Sequence, residues 1–335
     1  MKLDEINVVA LPGLDEIRAA ADLIYRSLPA TPQYSWPLIN SRASSNGAAA
    51  EVWVKHENHT PVGAFKVRGG LVYMDWLRKA RPEVKTLVSA TRGNHGQSIA
   101  FAGAQQGLRV VIVVPFGNSP EKNRAMRMLG AELVEFGNDF QAASEHAAQL
   151  EEENGWHRVP SFDLKLVTGV STYAWEMFTA CPELETFYVP IGMGSGVCGT
   201  IAARDALGLK TKVVGVVSSL APAYALSYAA GRVVEHEART AIADGVACRV
   251  PDTVALEIVK AGVDRIVTVE DEEVRDAMRA YFADTHNVAE GAGAIGLAAL
   301  LKDRAAGGDR VGTVLCGGNV DSDVFAGVLN GAGRA

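Results

Sequence analysis

Short apolar runs rich in β-branched residues recur along this chain, and most are followed by a segment with helical periodicity. That alternation constrains the fold more than any single residue does. KTLVSAT (85–91) reads as a strand, and HGQSIAFAGAQQG (95–107) as a helix ending at Gly107. RVVIVVP (109–115) is a strand closed by Pro115, and PEKNRAMRMLG (120–130) is a helix with proline near its start and glycine at its end. AELVEFG (131–137) and DFQAASEHAAQLEEENG (139–155) repeat the pair. Further strands are TFYVPIG (186–192), KVVGVVSS (212–219), RIVTV (265–269) and RVGTVLCGG (310–318). Apolar strands alternating with helices imply parallel sheets covered on both faces, an α/β architecture. A length of 335 residues suggests about two domains. No linker, repeat or low-complexity tract separates them, so they are interleaved. The expected division is a large domain of residues 1–84 plus 159–335 and a small inserted α/β domain of residues 85–158, built from three strand–helix steps.

Charge narrows the function. The net charge is -7 and the pI about 5.6, which argues against a nucleic-acid partner or an anionic membrane surface. No apolar run approaches the roughly 20 residues of a membrane span. The acid-bearing start MKLDEINVVALPGLDEI lacks the apolar core of a signal peptide. Cys181, Cys198, Cys248 and Cys316 have no paired spacing, which reads as a reducing compartment without a disulfide framework or zinc site. The expectation is a cytoplasmic protein.

Three stretches carry chemistry. HTPVGAFKVRGG (59–70) brackets Lys66 with small residues, so something approaches that lysine closely. IGMGSGVCGTIAARDALG (191–208) sets Gly192, Gly194 and Gly196 between a strand and an alanine-rich helix, where backbone N–H groups can hold an anion. It lacks the Gly-Lys-Ser/Thr of a nucleotide loop, and a tight turn accounts for it equally well. SATRGNHGQSIA (89–100) places Asn94, His95 and Gln97 at another strand–helix junction, where helix capping is the plainer reading. A lysine for a Schiff base, a phosphate cradle and polar strand ends together suggest pyridoxal phosphate.

At these residues the chain resembles the fold-type II pyridoxal-phosphate enzymes (tryptophan synthase β-like), in the serine/threonine dehydratase and serine racemase branch. KHENHTPVGAFKVRGG matches the family's lysine motif, GNHGQ (93–97) its asparagine loop and GMGSG (192–196) its phosphate loop. IADGVACRVPD (242–252), EGAGA (290–294) and CGGNVD (316–321) follow in order. The resemblance runs from about residue 30 to 325. It implies two interleaved domains, each with a mainly parallel twisted sheet flanked by helices.

It also implies roles. Lys66 would hold the cofactor, with Phe65 beside its ring. Asn94 would bond its phenolic oxygen. Gly192, Met193, Gly194, Ser195 and Gly196 would hold its phosphate, and Cys316 would sit by the pyridine nitrogen. Thr91, Arg92, Gly93, Asn94 and His95 would bind substrate, with N–H groups near 93–96 receiving its carboxylate. The implied activity is a hydroxy-amino-acid dehydratase (ammonia-lyase) acting on threonine, serine or a bulkier or acidic analogue such as phenylserine or 3-hydroxyaspartate. A β-replacement enzyme similar to cysteine synthase and a non-catalytic cofactor-binding protein are the alternatives. Relatives are often dimers or tetramers, so a homo-oligomer is expected.

Departures from the family pattern bear on specificity. Arg92 stands where racemases carry the serine that acts as acid/base opposite the lysine, which disfavours racemisation. GVVSSLAPAYALSY (215–228) lacks the acids with which some relatives hold a divalent cation, so no metal is expected there. VTGVSTYAWEM (167–177) replaces the usual Gly-Gln-Gly-Thr, which implies a different substrate side. The chain ends soon after CGGNVD, leaving no room for the regulatory domain of biosynthetic threonine enzymes.

Overall fold

Ten strands form in the computed structural model, which describes residues 10–44 and 50–331; the first nine residues, with most of the acid-bearing start, lie outside them. In chain order they are β1 (Gln33–Ser35), β2 (Glu51–His56), β3 (Thr86–Ala90), β4 (Arg109–Val114), β5 (Glu132–Glu135), β6 (His157–Arg158), β7 (Thr186–Pro190), β8 (Lys212–Ser218), β9 (Arg265–Val269) and β10 (Arg310–Leu315). They assemble into two sheets, a six-stranded one in the order β1-β2-β10-β7-β8-β9 and a four-stranded one in the order β5-β4-β3-β6. Only the β1–β2 pair is antiparallel; every other strand pair among the described residues is parallel.

The seven strands expected from apolar runs are all present. β1 and β6 are too short to show a pattern, at 3 and 2 residues. β2 is hidden by its chemistry, because Lys55 and His56 are fully buried in it. Both faces of β8 are covered: Val213, Val214, Val216 and Val217 are buried. The helix Gly291–Lys302 is buried on all sides over residues 291–300, which its run of glycine, alanine and leucine permits.

Glycines set one critical spacing. A β-carbon on Gly69 would lie 2.9 Å from the Leu166 carbonyl oxygen, and one on Gly70 would collide with Ser98. The helix Lys66–Ala80 thereby packs directly on the helices Leu164–Ala180 and Asn94–Gln105. Under it lies a buried ionic cluster. Arg68 donates to Glu57 (2.7 Å) and Glu176 (2.7 Å), and Lys55 donates to Glu176 (2.6 Å) and to the Thr31 carbonyl (2.6 Å). Two cations facing two carboxylates leave the cluster formally neutral, and further bonds to Thr172 and Thr31 fill the guanidinium's donors.

Candidate active site

The C-terminal ends of β3, β7 and β10 converge on a cavity of about 270 Å³, the expected location for a ligand in parallel α/β sheets. Every residue nominated from the sequence lines it: Phe65, Lys66, Thr91, Arg92, Gly93, Asn94, His95, Gly192, Met193, Gly194, Ser195, Gly196 and Cys316.

Lys66 opens its helix and is fixed by a short backbone zipper. Phe65 N–H donates to the Cys316 carbonyl (3.0 Å) and Gly318 N–H to the Gly63 carbonyl (2.9 Å), with Ala64 bridged to Gly317. Lysine and cysteine thus share one wall. The Lys66 ammonium donates to Ser195 Oγ at 3.2 Å. Burial lowers its pKa from 10.5 to about 8, against the opposing pull of Cys316 and Glu290. Cys316 donates its Sγ–H to the Ala292 carbonyl (3.3 Å), and burial raises its pKa, so it stays a thiol.

The loop after β7 turns sharply at Gly194, whose φ of 107° is in the glycine-favouring region. A β-carbon there would also lie 2.6 Å from that of Ala255. Its carbonyls are pinned from behind, Met193 by the Tyr224 hydroxyl (3.1 Å) and Gly196 by the Tyr173 hydroxyl (3.1 Å). The helix Ser195–Ala206 begins there, so its first N–H groups have no intrahelical partner. That combination suits a phosphate.

In the loop after β3, among the amides near 93–96, Thr91 Oγ1 accepts from Gly93 (3.0 Å) and Gly96 (3.3 Å). The Thr91 hydroxyl, two residues ahead of Gly93, folds the loop on itself, which leaves the Asn94 and His95 amides as the donors. His95 is buried, its Nε2 has no partner, and burial with the nearby Lys66 charge holds it neutral, its pKa lowered to about 3. Arg92 is exposed on the cavity wall and makes no hydrogen bond or ion pair among the described residues. VTGVSTYAWEM lies in the helix Leu164–Ala180 and backs the phosphate loop through Tyr173.

Several residues of the site received no role from the sequence. Asn94 Nδ2 donates to Glu290 Oε1 (2.5 Å), and its Oδ1 accepts from Asn319 (2.9 Å). Lys122 reaches Asp244 (2.8 Å) and Glu290 (3.5 Å). Asp244, Glu290 and Asn319 lie inside the quoted motifs. A glutamate leading a run of glycine and alanine is a usable signal, since such a residue enters a buried helix with its charge needing a partner. Nothing local marks Lys122.

The residues fit pyridoxal phosphate: a half-buried lysine of lowered pKa, a helix start with free amides, a neutral thiol, and a buried His95 Nε2 without a hydrogen-bond partner beside the cavity. Fold and site together suit an α/β enzyme with a lysine placed to meet a phosphate-bearing cofactor. The chain belongs to the pyridoxal-phosphate dependent enzyme family, which it matches over residues 31–317. It is 33% identical to the L-threonine ammonia-lyase of Thermotoga maritima over 88% of this chain and 73% of that protein. It is 30% identical to the catabolic L-threonine dehydratase of Escherichia coli over 86% of this chain and 88% of that protein. Among solved structures, a threonine deaminase from T.th. superposes with a TM-score of 0.84 at 30% identity, covering 92% of this chain and 99% of that one. Maize serine racemase superposes with a TM-score of 0.87 at 25% identity, covering 96% and 98%. No helix among the described residues is long and apolar enough to cross a membrane.

Proposed function

We propose that this enzyme is a dehydratase (ammonia-lyase): it eliminates water from a 3-hydroxy amino acid and yields a 2-oxo acid and ammonia. The observation that carries this is Lys66, half-buried on the same wall as a thiol and donating to Ser195 at a helix start suited to a phosphate. The names of its relatives point to threonine. Serine, phenylserine and 3-hydroxyaspartate belong to the same class.

Gly192–Gly196 would hold the phosphate, Asn94 the phenolic oxygen, and Cys316 would face the pyridine nitrogen. Once bound, pyridoxal phosphate supplies the electron sink that makes a Cα–H bond acidic. The chain does the rest. Lys66, its pKa lowered to about 8, loses its proton far more readily than an ordinary lysine and would take the Cα proton in its neutral form. The Asn94 and His95 amides receive the substrate carboxylate at a helix start. Cys316 remains an uncharged partner and does not hold a positive charge on its neighbour, which favours prompt loss of the β-hydroxyl. The released enamine hydrolyses to the 2-oxo acid and ammonia.

Two features favour elimination over racemisation. Arg92 offers only N–H donors and no acceptor, so it cannot act as a base on the opposite face. The Thr91 hydroxyl is occupied by its own loop amides. The two sheets support the division into a large domain of residues 1–84 plus 159–335 and a small one of residues 85–158. We also read the enzyme as cytoplasmic and homo-oligomeric; four free cysteines, all buried, support the reducing compartment.

The test is a panel of 3-hydroxy amino acids assayed for 2-oxo acid and ammonia, with O-acetylserine plus sulfide as the β-replacement control. Release of both products from at least one hydroxy amino acid is expected. Turnover only in the control would overturn the reading.

A further inference from the structure

Glu290 is, among the described residues, the one buried carboxylate on the cavity wall, 2% exposed and at the start of the helix Gly291–Lys302. Its two oxygens differ. Oε1 accepts from Asn94 Nδ2 (2.5 Å), while Oε2 has no hydrogen-bond partner and lies 3.5 Å from the Lys122 ammonium. Lys122 comes from the helix Pro120–Met128, beside the four-stranded sheet, and its stem lies over Gly93, where a β-carbon would meet its Cδ at 2.5 Å. Asp244, in the turn Asp244–Val246, holds the same ammonium at 2.8 Å.

We propose that Glu290 is a positioning residue: it orients the Asn94 amide toward the cofactor, and Lys122 serves as its counter-ion from across the cleft. This rests on the reading of Asn94 as the partner of the phenolic oxygen. Asn94 Oδ1 is taken by Asn319 and one Nδ2 proton by Glu290, so a single N–H is left to face the cavity. An ionised Glu290 fixes that orientation and polarises the remaining N–H.

The Lys122 charge favours the ionised form of Glu290, against a pKa that burial holds above the usual carboxylate range. Burial raises the Glu290 pKa, and Asp244 raises it further; Lys122 and the Asn94 bond pull it down. Lys66 and Cys316 are the other titratable groups near it. Without the Lys122 charge, Glu290 takes up a proton and holds it to higher pH.

The experiment titrates the full chain with pyridoxal phosphate, across the neutral to alkaline range, for the wild type and for Glu290→Gln, Lys122→Met and Asn94→Ala. Circular dichroism verifies that each variant is folded. Glu290→Gln should weaken cofactor binding about tenfold at every pH, the scale of one hydrogen bond to a charged group. Lys122→Met should show the same loss at neutral pH and recover as pH rises and Glu290 reionises; the double variant should be no worse than Glu290→Gln alone and should not recover. A pH-independent loss in Lys122→Met, or wild-type affinity in Glu290→Gln alongside a weakened Asn94→Ala, overturns the proposal. Wild-type affinity in Asn94→Ala overturns the reading of Asn94 on which it rests.

Discussion

Lys66→Met in the cofactor-free protein should make the protein more stable. Burial depresses the Lys66 pKa from 10.5 to about 8. At neutral pH both folded and unfolded states carry the ammonium, so the folded state bears the penalty of a partly desolvated charge. A shift of this size corresponds to about 3 kcal/mol, at roughly 1.4 kcal/mol per pKa unit. Methionine fills a similar volume without the charge. Its expected gain at neutral pH is about 3 kcal/mol, or about 4 °C in Tm from the per-residue unfolding entropy of a chain this long. The sign has a second consequence. Between pH 8 and 10.5 the unfolded state binds more protons at this residue than the folded state, so wild-type stability rises with pH through that window. The Met variant lacks the increment, and the gap between the two closes as pH increases. Urea unfolding of both apo-proteins at a series of pH values measures this. A Met variant no more stable than wild type at neutral pH refutes the assignment of Lys66 as a partly buried, destabilised cation.

Four other outcomes follow from the same geometry. Arg68→Met leaves Glu57 without a cation and Glu176 with Lys55 alone in a buried cluster, and should lower stability by about 3–5 kcal/mol, read as a lower urea midpoint. Cys316→Ser should keep most of the turnover because a hydroxyl is also neutral, whereas Cys316→Asp should lose it; equal activity of the two would place residue 316 away from the ring nitrogen. Arg92→Ser should reduce kcat/KM for the best substrate more than for serine, by roughly 5- to 150-fold if one charged or stacked contact is lost; equal losses on all substrates would assign Arg92 to loop structure. Chelator treatment should leave activity unchanged, and a loss restored by magnesium or calcium would contradict the reading of 215–228.

The parts legible in the sequence are those where a local pattern has a local cause. Lys66 stands out because the close packing of its helix demands Gly69 and Gly70 beside it. The phosphate loop stands out because Gly194 adopts a backbone angle other residues avoid. β2 was missed because its buried Lys55 answers to Glu176, a residue far along the chain. Lys122, Asp244 and Glu290 carry no signal as a group, since only the meeting of the two sheets makes them neighbours. Which amides of the 93–96 helix start are free is not legible either: Thr91 precedes the usual capping position, and its hold on Gly93 and Gly96 appears only in three dimensions.

The place of β10 in its sheet has a consequence for biosynthesis. β10 is the last strand formed among the described residues, yet it lies between β2 and β7, pairing Arg310 with Glu51 and Val311 with Thr186. During vectorial synthesis, β2 and β7 therefore emerge from the ribosome with facing edges that nothing yet fills. Open strand edges of this kind invite pairing with other chains. The wall that joins Lys66 to Cys316 cannot exist until residue 318 is available. Contacts this distant in sequence close slowly, which makes the nascent enzyme a candidate client for chaperones that shield exposed edges.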